Sequence, residues 1–99
     1  MQYFDISNGV SKNLINKLWN ISSFYRYSRK CAILRWCDKI AENTMTLTSI
    51  KQLIRYLKKL QSELADNMNE KQFFFDLLEE TICILNNLEE RNSSKRSRV

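Results

Sequence analysis

The sequence has no histidine, no proline and one glycine, Gly9, among its 99 residues. Without histidine it lacks the commonest general base, the usual partner of a Ser or Cys nucleophile, and the commonest metal ligand. Lys, Asp, Glu and Tyr remain, and no arrangement of them stands out. The expectation is a non-enzyme with no catalytic residue, small-molecule substrate, metal or cofactor. The scarcity of glycine excludes a glycine-rich phosphate cradle. It also speaks against sheets, whose tight hairpins need positive φ. Cysteine is sparse and odd in number: Cys31, Cys37 and Cys83. On one helix Cys31 and Cys37 would lie about 120° apart and about 9 Å along the axis. That separation is too large for a disulfide, and the spacing is not that of a zinc site. Free, partly buried thiols are expected. Uninterrupted apolar runs are too short to span a bilayer. The opening "MQYFDISNGV" has neither the basic region nor the apolar run of a secretory signal. These features predict a soluble, cytoplasmic protein.

What is present suits a small helical core. Apolar residues make up 43% of the chain and aromatic residues 11%. At this length one domain is expected, with modest stability. Periodicity predicts four helices. The first runs from about Val10 to Ile21, capped by Ser7 or Asn8, with Val10, Leu14, Leu18 and Ile21 on one face and Ile15 and Trp19 on its flank. Ser22 and Ser23 then offer a break and a new N-cap for a second helix, Phe24 to Asn43. Its apolar side holds Tyr25, Ala32, Ile33, Trp36, Cys37 and Ile40. One long bent helix over residues 10–43 is the alternative. Ser49 and Gln52 form a capping box before a third helix, Ile50 to about Asp66. Here Ile50, Leu53, Leu57, Leu60 and Leu64 make an a/d stripe that Ile54 widens. Asn69 and Gln72 form a second capping box before a fourth helix, Glu70 to Arg91. Phe74, Leu77, Leu78, Thr81, Ile82, Leu85 and Leu88 span about 160° of its wheel. The short joint before it predicts an antiparallel hairpin of the third and fourth helices. The fold class expected is all-α: an antiparallel four-helix bundle over residues 1–91, followed by a flexible, basic, disordered tail over 92–99.

Charge is segregated. Residues 1–59 hold eleven Lys/Arg and three Asp/Glu, residues 60–90 hold one and eight, and residues 91–99 hold four and none. An acidic fourth helix beside basic neighbours explains this within the chain; a basic surface for an anionic partner is the sharper reading. "YRYSRKCAILRW" interleaves Arg26, Arg29, Lys30 and Arg35 with Tyr25, Tyr27 and Trp36, a pattern able to hold nucleic acid. Tyr25 and Trp36 fall on the apolar side of the wheel, which favours a basic helix edge over a nucleic-acid site. Lys95, Arg96 and Arg98 make a short basic patch that suits solubility, localisation or an anionic membrane face. "FFF", Phe73 to Phe75, turns through about 200° of a helix, so the three rings cannot share one direction. Phe74 is the expected core residue, and Phe73 with Ile84 would form a small contact patch if exposed.

"IKQLIRYL" (Ile50 to Leu57), a ten-residue spacer and "MNEKQ" (Met68 to Gln72) precede an amphipathic helix. With "INKLWNI" (Ile15 to Ile21) upstream, this pattern resembles the immunity proteins against pediocin-like (class IIa) bacteriocins, the enterocin A immunity family. The resemblance implies an antiparallel four-helix bundle that acts in the cytoplasm by protein–protein contact. The implied partner is the assembly of bacteriocin and mannose phosphotransferase permease at the inner membrane face, which is held so that no pore stays open. It implies recognition through the C-terminal part. The partner-binding candidates are Phe73, Ile84, Leu88, Arg91, Lys95, Arg96 and Arg98, in a monomer. The tail departs from the family: it has no glycine or aromatic residue and ends in "SSKRSRV". Two further readings are a small nucleic-acid-binding or accessory protein and a helical subunit of a larger complex.

Overall fold

The computed structural model describes the backbone of residues 3–64 and 68–97, and the side chains of residues 3–64 and 71–91. The described residues form four α-helices and no strand: α1 (Asn8–Ser22), α2 (Tyr27–Ala41), α3 (Leu47–Leu64) and α4 (Met68–Ser97). The chain is all-α, as its shortage of turn residues implied. It divides into two compact units, Met1–Thr46 and Leu47–Val99, each containing one packed helix pair.

In the first unit, α1 starts two residues earlier than expected. Ser7 is its N-cap, and its Oγ accepts from the Val10 amide at 3.4 Å. Leu14, Leu18 and Ile21 are wholly buried, while Val10 and Ile15 are half-buried. The break in the 10–43 segment is real, but its chemistry is the reverse of the expectation. Ser22 and Ser23 do not cap a following helix; they close the preceding one. Ser22 Oγ donates to Trp19 O at 2.7 Å and Ser23 Oγ to Asn20 O at 2.6 Å. Three-residue turn bonds, Phe24 N–H to Ile21 O and Tyr25 N–H to Ser22 O, then unwind the chain. Helix α2 therefore begins at Tyr27, with Arg26 as an N-cap that makes no side-chain capping bond. Its C-terminal end is a Schellman motif. Asn43 takes the left-handed conformation (φ 57), its amide bonds Ile40 O, and the Thr44 amide bonds Lys39 O. Asn is the residue other than glycine that this position accepts most readily. Ile33, Cys37 and Ile40 form the buried stripe of α2, and Cys37 Sγ contacts Ile15 O across the pair at 3.9 Å.

The non-helical N-terminal segment belongs to the same core. Phe4 and Ile6 are buried, as is Met45 in the link after α2. The Phe4 amide donates to Met45 O at 2.6 Å. This bond fixes the segment to the α2–α3 link and satisfies polar backbone that would otherwise lie beside apolar side chains.

In the second unit, α3 begins at Leu47, three residues before the expected start. Ser49 is thus inside the first turn and buried, not an N-cap. The predicted stripe is correct at every position: Ile50, Leu53, Ile54, Leu57, Leu60 and Leu64 are all buried. Each such side chain contributes about 1.5–3 kcal/mol. On α4, Phe74, Leu77, Leu78, Thr81, Ile82 and Leu85 are buried, and Leu88 is half-buried. The buried Thr81 hydroxyl donates to Leu77 O at 2.7 Å, so its burial leaves no orphan group.

Helix α4 differs from the expected fourth helix at both ends. It starts at Met68 and is kinked at Lys71, whose φ of −124 and ψ of 25 are not helical. Gln72 does not reach back as a capping box requires; its amide donates forward to Asp76 Oδ1 at 2.8 Å. The side chain of Asn69, the other half of that box, lies outside the described residues. At the far end, backbone expected to be disordered from residue 92 is helical to Ser97. Neither glycine nor proline interrupts it, and cationic residue types suit a helix C-terminus. Residues 98 and 99 lie outside the described part.

Two contacts set the direction of α4 against α3. Lys51 Nζ lies 3.8 Å from Glu89 Oε2, and Gln61 Nε2 donates to Glu79 Oε1 at 2.7 Å. Ten residues forward on α3 correspond to ten residues back on α4, so the pair is antiparallel. The Lys51–Glu89 contact also shows acidic α4 meeting basic α3 within the chain.

Candidate functional site

Among the described residues, five large hydrophobic side chains are exposed: Tyr3 (52%), Trp19 (55%), Phe24 (53%), Tyr27 (84%) and Phe73 (75%). Of these five, only Phe73 belongs to the second unit. Apart from Tyr3, they fall on two surfaces.

On α4 the three consecutive phenylalanines separate as helix geometry requires. Phe74 is buried, Phe75 half-buried and Phe73 exposed. Phe73 lies about 110° from the centre of the buried α4 sector. Ile84 and Arg91 fall within about 20° of Phe73 around the wheel, and the line from Phe73 to Arg91 is about 27 Å long. Ile84 is half-buried and Arg91 exposed; Glu80 falls on the same line. The expected contact residues Phe73, Ile84 and Arg91 therefore share one face. Leu88 is half-buried and closer to the core side. The side chains of Lys95 and Arg96, and all of Arg98, lie outside the described residues.

The other surface is the corner between α1 and α2. Trp19 sits about 130° from the centre of the Leu14–Leu18–Ile21 stripe, which places it on the solvent side of α1. Phe24 is in the link and Tyr27 opens α2. Tyr27 has φ 56, in the left-handed region. Bulky residues rarely adopt that conformation, and an exposed ring has little burial to offset it. Arg26 and Lys30 are exposed, and the Arg29 guanidinium lies 5.6 Å from the Tyr25 ring centroid. Of the aromatics in "YRYSRKCAILRW", Tyr25 and Trp36 are half-buried, and only Tyr27 stands fully outward. The sequence reading missed the exposure of Trp19 and Phe24 on either side of the start of the link. Their signal was present: Trp19 was the flank residue of its wheel, and Phe24 followed a serine pair.

The cysteines are free: Cys31 and Cys83 exposed, Cys37 buried. Burial, with a smaller contribution from the Asp38 carboxylate, pushes the Cys37 thiol up to about 11. That is the direction of an inert thiol. Among the described residues no cluster of Cys, Asp and Glu is able to hold a metal ion, and no helix is long and apolar enough to cross a membrane.

The chain matches no protein-family model, no curated protein and no solved structure.

Proposed function

We propose that this chain is an immunity protein of the pediocin-like bacteriocin type. It is a non-enzymatic binding protein that works in the cytoplasm at the inner membrane face. It engages the bacteriocin–permease assembly through the outer face of α4 and prevents a lasting pore. Exposed Phe73, on one line with Ile84 and Arg91, carries the reading. An apolar ring three-quarters exposed, at one end of a line that runs through a half-buried aliphatic side chain to a cation, suits a small protein contact. The antiparallel α3/α4 pair also lies in the segment that carries the resemblance to immunity proteins. In this reading Leu88, Lys95, Arg96 and Arg98 extend the contact and select the bacteriocin.

The test is protection. A sensitive indicator strain expressing the chain is challenged with a panel of class IIa bacteriocins. Survival against at least one member, relative to an empty-vector control, is expected. Killing equal to the control across the panel rejects the reading.

A further inference from the structure

The α1–α2 corner has chemistry that an α4 contact does not use. Between residues 6 and 37 the chain carries Lys12, Lys17, Arg26, Arg29, Lys30 and Arg35 and no Asp or Glu at all. Within that acid-free stretch, Trp19, Phe24 and Tyr27 expose their rings within about one helical turn of the link. We propose that this corner docks on an anionic lipid bilayer. The three rings enter the headgroup level while Arg26 and Lys30 bind lipid phosphates.

Three observations favour a bilayer. Trp and Tyr, apolar bodies with one polar tip, are the side chains that settle at a membrane–water interface. The rings come from the end of one helix, a link and the start of the next, so they sit around a turn and not along a track. A bilayer needs no ring-to-ring register, whereas a single strand of nucleic acid needs successive stacking faces. Within the basic run those faces are few: Arg29 already lies by the Tyr25 ring, and Trp36 is half-buried. The third observation is that Tyr27 combines a left-handed backbone with a ring 84% exposed, a local strain that no burial of its ring offsets.

The proposal is independent of the α4 reading, because its test contains neither bacteriocin nor receptor. The full chain is sedimented with vesicles of phosphatidylglycerol and phosphatidylcholine, and with phosphatidylcholine alone, at low salt. Binding to the mixed vesicles only is expected. The variant Trp19→Ala/Phe24→Ala/Tyr27→Ala should bind about tenfold more weakly. Arg26→Gln/Lys30→Gln should lose about fivefold per cation removed, and Phe73→Ala should bind as the unchanged chain does. Circular dichroism confirms retained helix; where the triple variant loses it, the charge variant decides. No sedimentation with mixed vesicles overturns the proposal, as does unaltered binding by a helical triple variant. Release from vesicles by a mixed-sequence single-stranded oligonucleotide that needs the same three rings would reassign the corner to nucleic acid and overturn it too.

Discussion

The two units solve the same packing problem with different residues at their edges. The α3/α4 unit buries a regular stripe and leaves one large apolar side chain, Phe73, exposed among the described residues. The unit containing α1 and α2 leaves four, three of them at its corner. Charge divides in parallel. Residues 1–46 hold seven Lys/Arg against three Asp/Glu, and residues 47–99 hold nine against eight. Those near-balanced charges partly meet inside the unit, as Lys51 and Glu89 do. The first unit has few acids to meet its cations. An isolated exposed ring suits a specific contact with protein; a cationic, aromatic corner suits a surface without a fixed pattern.

The cores should differ least. Leu18→Ala in α1 and Leu57→Ala in α3 each remove a wholly buried side chain. Each should cost about 2–5 kcal/mol, read by urea unfolding. A loss below ~1 kcal/mol at either site would show that its pair is loosely packed.

The thiols distinguish inside from outside. In native protein at neutral pH, Cys31 and Cys83 should react readily with a thiol reagent, and Cys37 only after denaturant is added. Cys37 also makes stability depend on pH. Its folded pKa, about 11, lies above the ordinary thiol value of 9.0, so between the two the folded state binds more protons than the unfolded state. Its contribution is intact below pH 9 and is lost as pH rises toward 11. Cys37→Ala should flatten that alkaline decline relative to the unchanged chain.

Smaller effects belong to the surface. Gly9 is exposed on α1 with nothing near an added Cβ and no positive φ. Gly9→Ala should stabilise by up to about 1 kcal/mol, seen as a higher melting temperature. Lys51→Ala breaks a partly exposed pair in the second unit and should cost no more than about 1 kcal/mol, less in high salt.

The same contrast governs what the sequence disclosed. The α3 stripe was readable at every position, because one repeating face is buried and most polar residues between are exposed, Tyr56 and Gln61 being half-buried. Phe74 over Phe73 followed from the wheel alone. Helix ends were harder wherever polar residues cluster. In "ENTMTLTS" several residues can cap, and Ser49 looked the best partner for Gln52, yet the helix had already begun at Leu47. Ser22 and Ser23 can cap a new helix or close an old one, and only the backbone path decides. Phe4 and Ile6 gave no signal: burial of a non-helical segment has no period to find. The α4 face was legible as far as Phe73, Ile84 and Arg91. The corner was not, because Trp19 and Tyr27 belong to different helices and flank the link only once the chain has turned.

The most direct test of the α4 face is protection by Phe73→Ala in a sensitive indicator strain, beside the unchanged chain and the Trp19→Ala variant. Phe73 is exposed, so this change should leave helix content and melting temperature intact while reducing survival under the matching bacteriocin by more than Trp19→Ala does. Undiminished survival with a Phe73→Ala chain that folds normally would contradict it.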